Sequence, residues 1–97
     1  MILQMNKFGS VLGSRRLGSV VRNEIEKALN SGENVVFDLT GINTVSNSFA
    51  DECFGKLLID REFASIRKQT SFINTGSLFQ GIIKSAINDR LAKIATA

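Results

Sequence analysis

The chain contains no histidine. That absence removes the commonest general base near neutral pH, the usual zinc ligand and the centre of most nucleophile triads. Carboxylate or lysine chemistry stays open, but no base–nucleophile pair stands out, and the expectation is a non-enzymatic protein without a cofactor. Tryptophan and tyrosine are absent as well. Phenylalanine could stack on bases, but basic and aromatic residues do not interleave and there is no zinc-finger spacing, so nucleic acid is not an expected partner. Proline is missing, and there are no repeats or low-complexity runs to mark a linker. The 97 residues therefore read as one domain, 1–97. The single cysteine, Cys53, makes an intramolecular disulfide impossible and favours a cytoplasmic setting. No apolar run approaches the length of a membrane span. Met1-Ile2-Leu3-Gln4-Met5 lacks a basic leader and a cleavage site, so neither a signal peptide nor membrane association is expected.

What is present is an ordinary globular composition, 43% apolar, with a net charge of +3 that is unevenly spread. Lys7, Arg15 and Arg16 stand at the start without an acid, and Arg67, Lys68, Lys84, Arg90 and Lys93 face Asp89 alone towards the end. The middle is net acidic. Basic ends around an acidic centre suit an acidic partner.

The stretch Asn34–Leu58, NVVFDLTGINTVSNSFADECFGKLL, organises the chain. Val35-Val36-Phe37, closed by Asp38, predicts a short buried strand. Thr40-Gly41-Ile42-Asn43 turns. From Ser48 the period changes, and Phe49, Ala50, Cys53, Phe54, Leu57 and Leu58 share one face of a helix ending near 59–62. Ser48 is placed to cap that helix, with Asp51 closing a capping box. Gly55 in its middle implies close packing against a strand.

Upstream, residues 1–7 predict an edge strand. Gly9, Gly13 and Gly18 follow, with Arg15 and Arg16 at the start of a helix. A strand, a glycine-rich turn and a helix have the layout of a phosphate cradle, so Gly13, Ser14, Arg15 and Arg16 form an alternative phosphate or nucleotide site. The pattern is neither GxGxxG nor GxxxxGK[ST]. The simpler reading makes Gly9 and Gly13 turn residues and lets Gly18 bring the helix close to the sheet. Ser14 caps a helix with the stripe Leu17, Val20, Val21, Ile25, Ala28 and Leu29, and Gly32 lies past its end. Downstream, 63–69 is ambiguous, with Phe63 and Ile66 placed to seal the bottom of the domain. Thr70-Ser71-Phe72-Ile73 predicts a third strand. Ser77 then caps a third helix with Leu78, Phe79, Ile82, Ile83, Ala86, Ile87, Leu91 and Ile94 on its apolar face.

The order is β-α-β-α-β-α: a small single α/β domain with a mostly parallel sheet and packed helices. Three strands make a small sheet. Either a further strand hides in 9–13 or 43–46, or an edge is left open for a partner or a second copy in a homodimer.

These residues resemble a known family. VVFDLTGI, the serine-containing loop Val45-Ser46-Asn47-Ser48 and FADECFGKLL are similar to the core of STAS-like domains, relatives of the bacterial anti-sigma factor antagonists. There a strand of the type VVxDFxGV precedes a serine loop and FADELFGKL. SRRLGSVVRNEIEKAL looks like the group's first helix, and TSFINTGSLFQGIIKSAI like its last strand and helix. The resemblance implies the STAS-like fold and a protein-interaction role in a regulatory or signalling system. In anti-sigma factor antagonists a serine at the start of the second helix is phosphorylated by a GHKL-type kinase, which breaks their contact. Carried over, this makes Ser48 and Ser46 the phosphoacceptor candidates and a GHKL-type ATPase or kinase the candidate partner. The expected interaction surface comprises Asn43, Asn47, Phe49, Asp51, Arg15 and Arg16.

Overall fold

A computed structural model describes residues 1–96. Nine elements follow one another: β1 (Ile2–Gln4), β2 (Val11–Leu12), α1 (Arg15–Asn30), β3 (Val35–Asp38), β4 (Thr44–Val45), α2 (Asn47–Cys53), α3 (Phe63–Gln69), β5 (Thr70–Ile73) and α4 (Gly76–Thr96). Short 3-10 segments fill Met5–Phe8 and Gly55–Ile59.

The main sheet is parallel, in the order β1-β3-β5. The strand from the central stretch is thus the middle one, and β1 is an edge as expected. Strands laid down in sequence order by right-handed crossovers place all their helices on one face. The burial follows that rule. Leu3, Phe37 and Phe72 form one row across the sheet, with Leu3 and Phe37 fully buried and Phe72 half-buried, while Ile2 and Ser71 on the opposite face are exposed. Phe37 meets Phe54 edge-on at 5.2 Å and Phe72 at 4.9 Å between ring centroids, which makes an aromatic centre under the helices.

Both places suspected of hiding a strand contain one. Val11–Leu12 and Thr44–Val45 pair in parallel as a separate two-stranded sheet, with Leu12 opposite Val45. This small ladder ties the glycine-rich turn to the loop that enters α2.

Several expectations are corrected. The strand expected over 1–7 stops at Gln4, because the chain coils at Met5–Phe8 and sends Met5 into the core, where it is fully buried. Residues 63–69, which the sequence leaves open, form a helix. The long second helix is two pieces, α2 and the 3-10 segment Gly55–Ile59. Val20, Leu78 and Ile94 lie on exposed rather than packed faces. Ser77 falls inside α4, which already begins at Gly76 with φ +72, so it does not precede the helix as a cap.

Two glycines bring helices together rather than a helix to a strand. A Cβ on Gly18 would stand 2.9 Å from Glu52 Cβ and 3.0 Å from Phe49 O, so this glycine seats α1 on α2. A Cβ on Gly55 would stand 2.8 Å from Asp51 Oδ1 and 3.3 Å from Ala86 O, so that glycine admits α4. Helix α2 is therefore clasped between α1 and α4.

Candidate functional site

The start of α2 lies where the small ladder, α1 and α4 converge. Ser46, not Ser48, is the N-cap. The Phe49 amide donates to Ser46 Oγ at 3.0 Å, and the Ser46 hydroxyl donates to Gly13 O at 2.9 Å. Both bonding capacities of this hydroxyl serve structure: it caps the helix and staples it to the turn before α1. The register is set by the ladder, which ends at Val45 and leaves Ser46 as the last extended residue, φ −84 and ψ 158.

Ser48 lies in the first turn of the helix and is exposed. Asn47, next to it in sequence and lining the same cavity, is exposed, and so is Asn43. Phe49, expected at the interaction surface, is instead fully buried in the core, because it lies on the apolar face of α2 with Ala50 and Cys53 and packs edge-on against Phe54 at 6.2 Å between ring centroids.

Asp51 closes no capping box. Its carboxylate takes Arg15 Nη1 at 2.8 Å, and Arg90 Nη2 reaches both oxygens at 2.8 Å. Burial alone would raise the Asp51 pKa, but the bonds and charges of Arg15 and Arg90 outweigh it and hold the carboxyl below its ordinary value. Glu52, only 7% exposed, is enclosed by cations: Arg22 Nη1 at 2.8 Å, Lys56 Nζ at 2.9 Å and Arg15 Nη1 at 3.3 Å. Here too desolvation pushes the pKa up, and the pairs with Arg22, Lys56 and Arg15 reverse it and hold Glu52 at about 2. Consecutive carboxylates thus bind α2 to α1 and α4.

Between α1, α2 and α4 lies a polar cavity of about 250 Å³, lined by Arg15, Asn47, Ser48, Asp51, Asp89 and Lys93 among others. Of the expected site residues it gathers Ser48, Asn47, Asp51 and Arg15. Asn43 lies in the loop before β4, where its backbone amide donates to Ser10 O at 2.8 Å. Arg16 is exposed. Asp89 and Lys93 were not singled out, and neither was the Arg90 partner of Asp51. Nothing local signals them, since they come from a helix far along the chain.

The other candidates are occupied by structural work. Gly13 turns its carbonyl to Ser46, Ser14 Oγ accepts from the Leu17 amide at 3.1 Å as the cap of α1, and Arg15 is paired with acids. Asp38 accepts from the Thr40 hydroxyl at 2.7 Å, from Asn74 at 3.0 Å and from the Thr40 amide at 3.0 Å, and these bonds lower its pKa while tying the ends of β3 and β5. Cys53 is fully buried, and burial pushes its thiol pKa well up, away from the reactive thiolate.

Residues 18–78, more than half of the chain, match the family described as STAS-like domain of unknown function (DUF4325). The chain belongs to this family. The match runs from Gly18 in α1 through the central strand and α2 to Leu78 early in α4, so it includes the Ser46–Ser48 junction. No curated protein and no solved structure matches the chain. Among the described residues, no helix of this STAS-like domain is long and apolar enough to cross a membrane.

Proposed function

We propose that this STAS-like domain is a non-enzymatic protein-interaction module of a bacterial regulatory or signalling system, acting in the cytoplasm. It docks to a protein partner through the surface made by Asn43, Asn47, Ser48 and Arg15. Phosphorylation of Ser48 by a GHKL-type kinase controls the contact.

The observation that carries this reading is the division of labour between two serines. Ser46 is half-buried, and its hydroxyl is committed to Phe49 and Gly13. Ser48 is exposed on the same turn, beside Arg15 and Lys93 in the polar cavity. A kinase would meet the Ser48 hydroxyl in the folded domain, whereas modifying Ser46 would first require breaking the cap. A phosphoryl group brings about −1.5 to −2 charges at neutral pH, enough to repel an acidic partner surface. Affinity capture from the source cell, followed by mass spectrometry of bait and captured protein, tests this directly. A kinase-fold partner together with phosphate on Ser48 is expected. Phosphate confined to Ser46, or to neither serine, refutes the switch.

A further inference from the structure

The order β1-β3-β5 leaves β5 as an edge strand. Its open side can be read from one bond: Ile73 O accepts from the Leu39 amide at 3.2 Å, so Ile73 and Ser71 direct their backbone groups towards β3. By alternation, Phe72 directs both its backbone groups outward and Thr70 its carbonyl, while the Thr70 amide is taken by Ile66 O at the end of α3. Beside this edge lies a cavity of about 200 Å³, lined by Phe72, Thr75, Gln80, Ile83, Lys84 and Ile87. No residue of β1 or β3 contributes, so the cavity lies between the edge and α4. At its end Thr75 is only 7% exposed, and its hydroxyl oxygen is buried with no hydrogen-bond partner. Such an orphaned group normally costs stability and calls for a partner.

We propose that this edge is a docking groove for an extended acidic peptide, which adds a strand beside β5. The outward carbonyl of Thr70 and the outward amide and carbonyl of Phe72 supply the ladder. One branched aliphatic side chain of the peptide fills the space over Phe72, Ile83 and Ile87. The Thr75 hydroxyl bonds the peptide backbone at the end of the groove. Charge selects the occupant. Lys84 stands at the rim, and exposed Arg67 and Lys68 sit on the helix that leads into β5; none of these three pairs with an acid among the described residues. Acidic residues on the peptide would neutralise them. A second copy of this chain would bring the same cations to the same edge, which disfavours self-pairing. This surface is distinct from the Ser48 cavity, and the proposal stands apart from the phosphoserine reading.

The test is an NMR titration of the isotope-labelled protein with a capped peptide of alternating glutamate and valine. Expected are shifts at Thr75, Ile83 and Lys84, and slowed exchange of the Phe72 amide. The same peptide with lysine in place of glutamate should give neither. Lys84→Glu, an exposed change that leaves the fold intact, should weaken the acidic peptide about tenfold. Thr75→Val should weaken it as well, with the thermal midpoint retained. An unprotected Phe72 amide at saturating peptide, or equal binding of the lysine peptide, overturns the proposal. So does a free protein that sediments as a dimer with Phe72 already protected.

Discussion

Arg90, near the far end of α4, holds Asp51 of α2 through Nη2 at 2.8 Å from both carboxylate oxygens, with Nε at 3.2 Å from one of them. Each side chain is 16% exposed, so the pair is sheltered enough for its loss to leave a poorly solvated charge. Leaving a buried charge unpaired costs about 3–5 kcal/mol; here the residual exposure, and Arg15 staying on Asp51 at 2.8 Å, place the expectation for Arg90→Ala below that range, at about 2 kcal/mol. The denaturation midpoint should drop accordingly. Arg90→Met combined with Asp51→Leu should cost less than the sum of the single changes, because no unpaired charge remains.

The cap assignment separates two neighbouring serines. Ser46→Ala removes the acceptor for the Phe49 amide and the donor to Gly13, and should cost about 1–2 kcal/mol in urea unfolding. Ser48→Ala alters an exposed hydroxyl and should stay within about 0.5 kcal/mol of the unaltered protein. The reverse ranking would restore Ser48 as the cap.

Glu52 sets the acid limit of stability. Its folded pKa of about 2 lies below the ordinary carboxylate value of 4.5. A depressed folded pKa contributes stability that is fully present above the unfolded pKa and is lost as pH falls through the folded one. The window therefore runs from about pH 5 down to about pH 2, and the loss over it is roughly 3 kcal/mol. Glu52→Gln should be less stable at neutral pH and should show a flatter acid limb. Asp51, shifted in the same direction, adds to the fall in the unaltered protein.

Local patterning made much of the fold legible. The run Val35-Val36-Phe37, the stripe of α1 with its Ser14 cap and the strand at Thr70–Ile73 all follow from periodicity and turn chemistry. The start of α2 was misread by two residues for a physical reason. Ser46 and Ser48 are both good caps, and the choice is made by the Val11–Leu12 ladder, a contact across more than thirty positions in sequence. Once Ser46 takes the cap, Asp51 moves off the capping-box position and is free to pair with Arg15 and Arg90. The ion-pair network and the Asp89–Lys93 wall of the cavity depend on how helices dock, and helix docking leaves no local signal. The two close glycines illustrate the same limit: their positions announce close packing, but not against which element.

Those glycines can be told apart from an unconstrained one. Gly18→Ala would place a methyl 3.0 Å from the Phe49 carbonyl and 2.9 Å from Glu52 Cβ, a contact that overpacking makes costly by about 1–3 kcal/mol. The gain in helix propensity, about 1 kcal/mol, does not offset the upper part of that range. Gly81 in α4 has nothing within 4 Å of its added Cβ, so Gly81→Ala should stabilise by about 0.5–1 kcal/mol. Opposite shifts of the thermal midpoint for the same chemical change would confirm that α1 rests on α2 at Gly18.

Ser48→Asp tests the regulatory reading most directly, because stability and binding are expected to part. An acid in the first turn of a helix interacts favourably with the amide end, by about 0.3–1 kcal/mol. Arg15 and Lys93 line the same cavity and would attract it, whereas Asp51 and Asp89 would repel it. The opposing contributions leave the unfolding midpoint close to that of the unaltered protein. The captured partner, measured by titration calorimetry, should bind Ser48→Asp at least tenfold more weakly, a loss of about 1.4 kcal/mol. Ser48→Asn, similar in size and uncharged, should retain the affinity. If Ser48→Asp bound as tightly as the unaltered protein, charge at this position would not control docking, and the serine would be an ordinary surface residue. If both variants weakened binding equally, shape rather than charge would govern the contact, and phosphorylation would lose its role as an electrostatic switch.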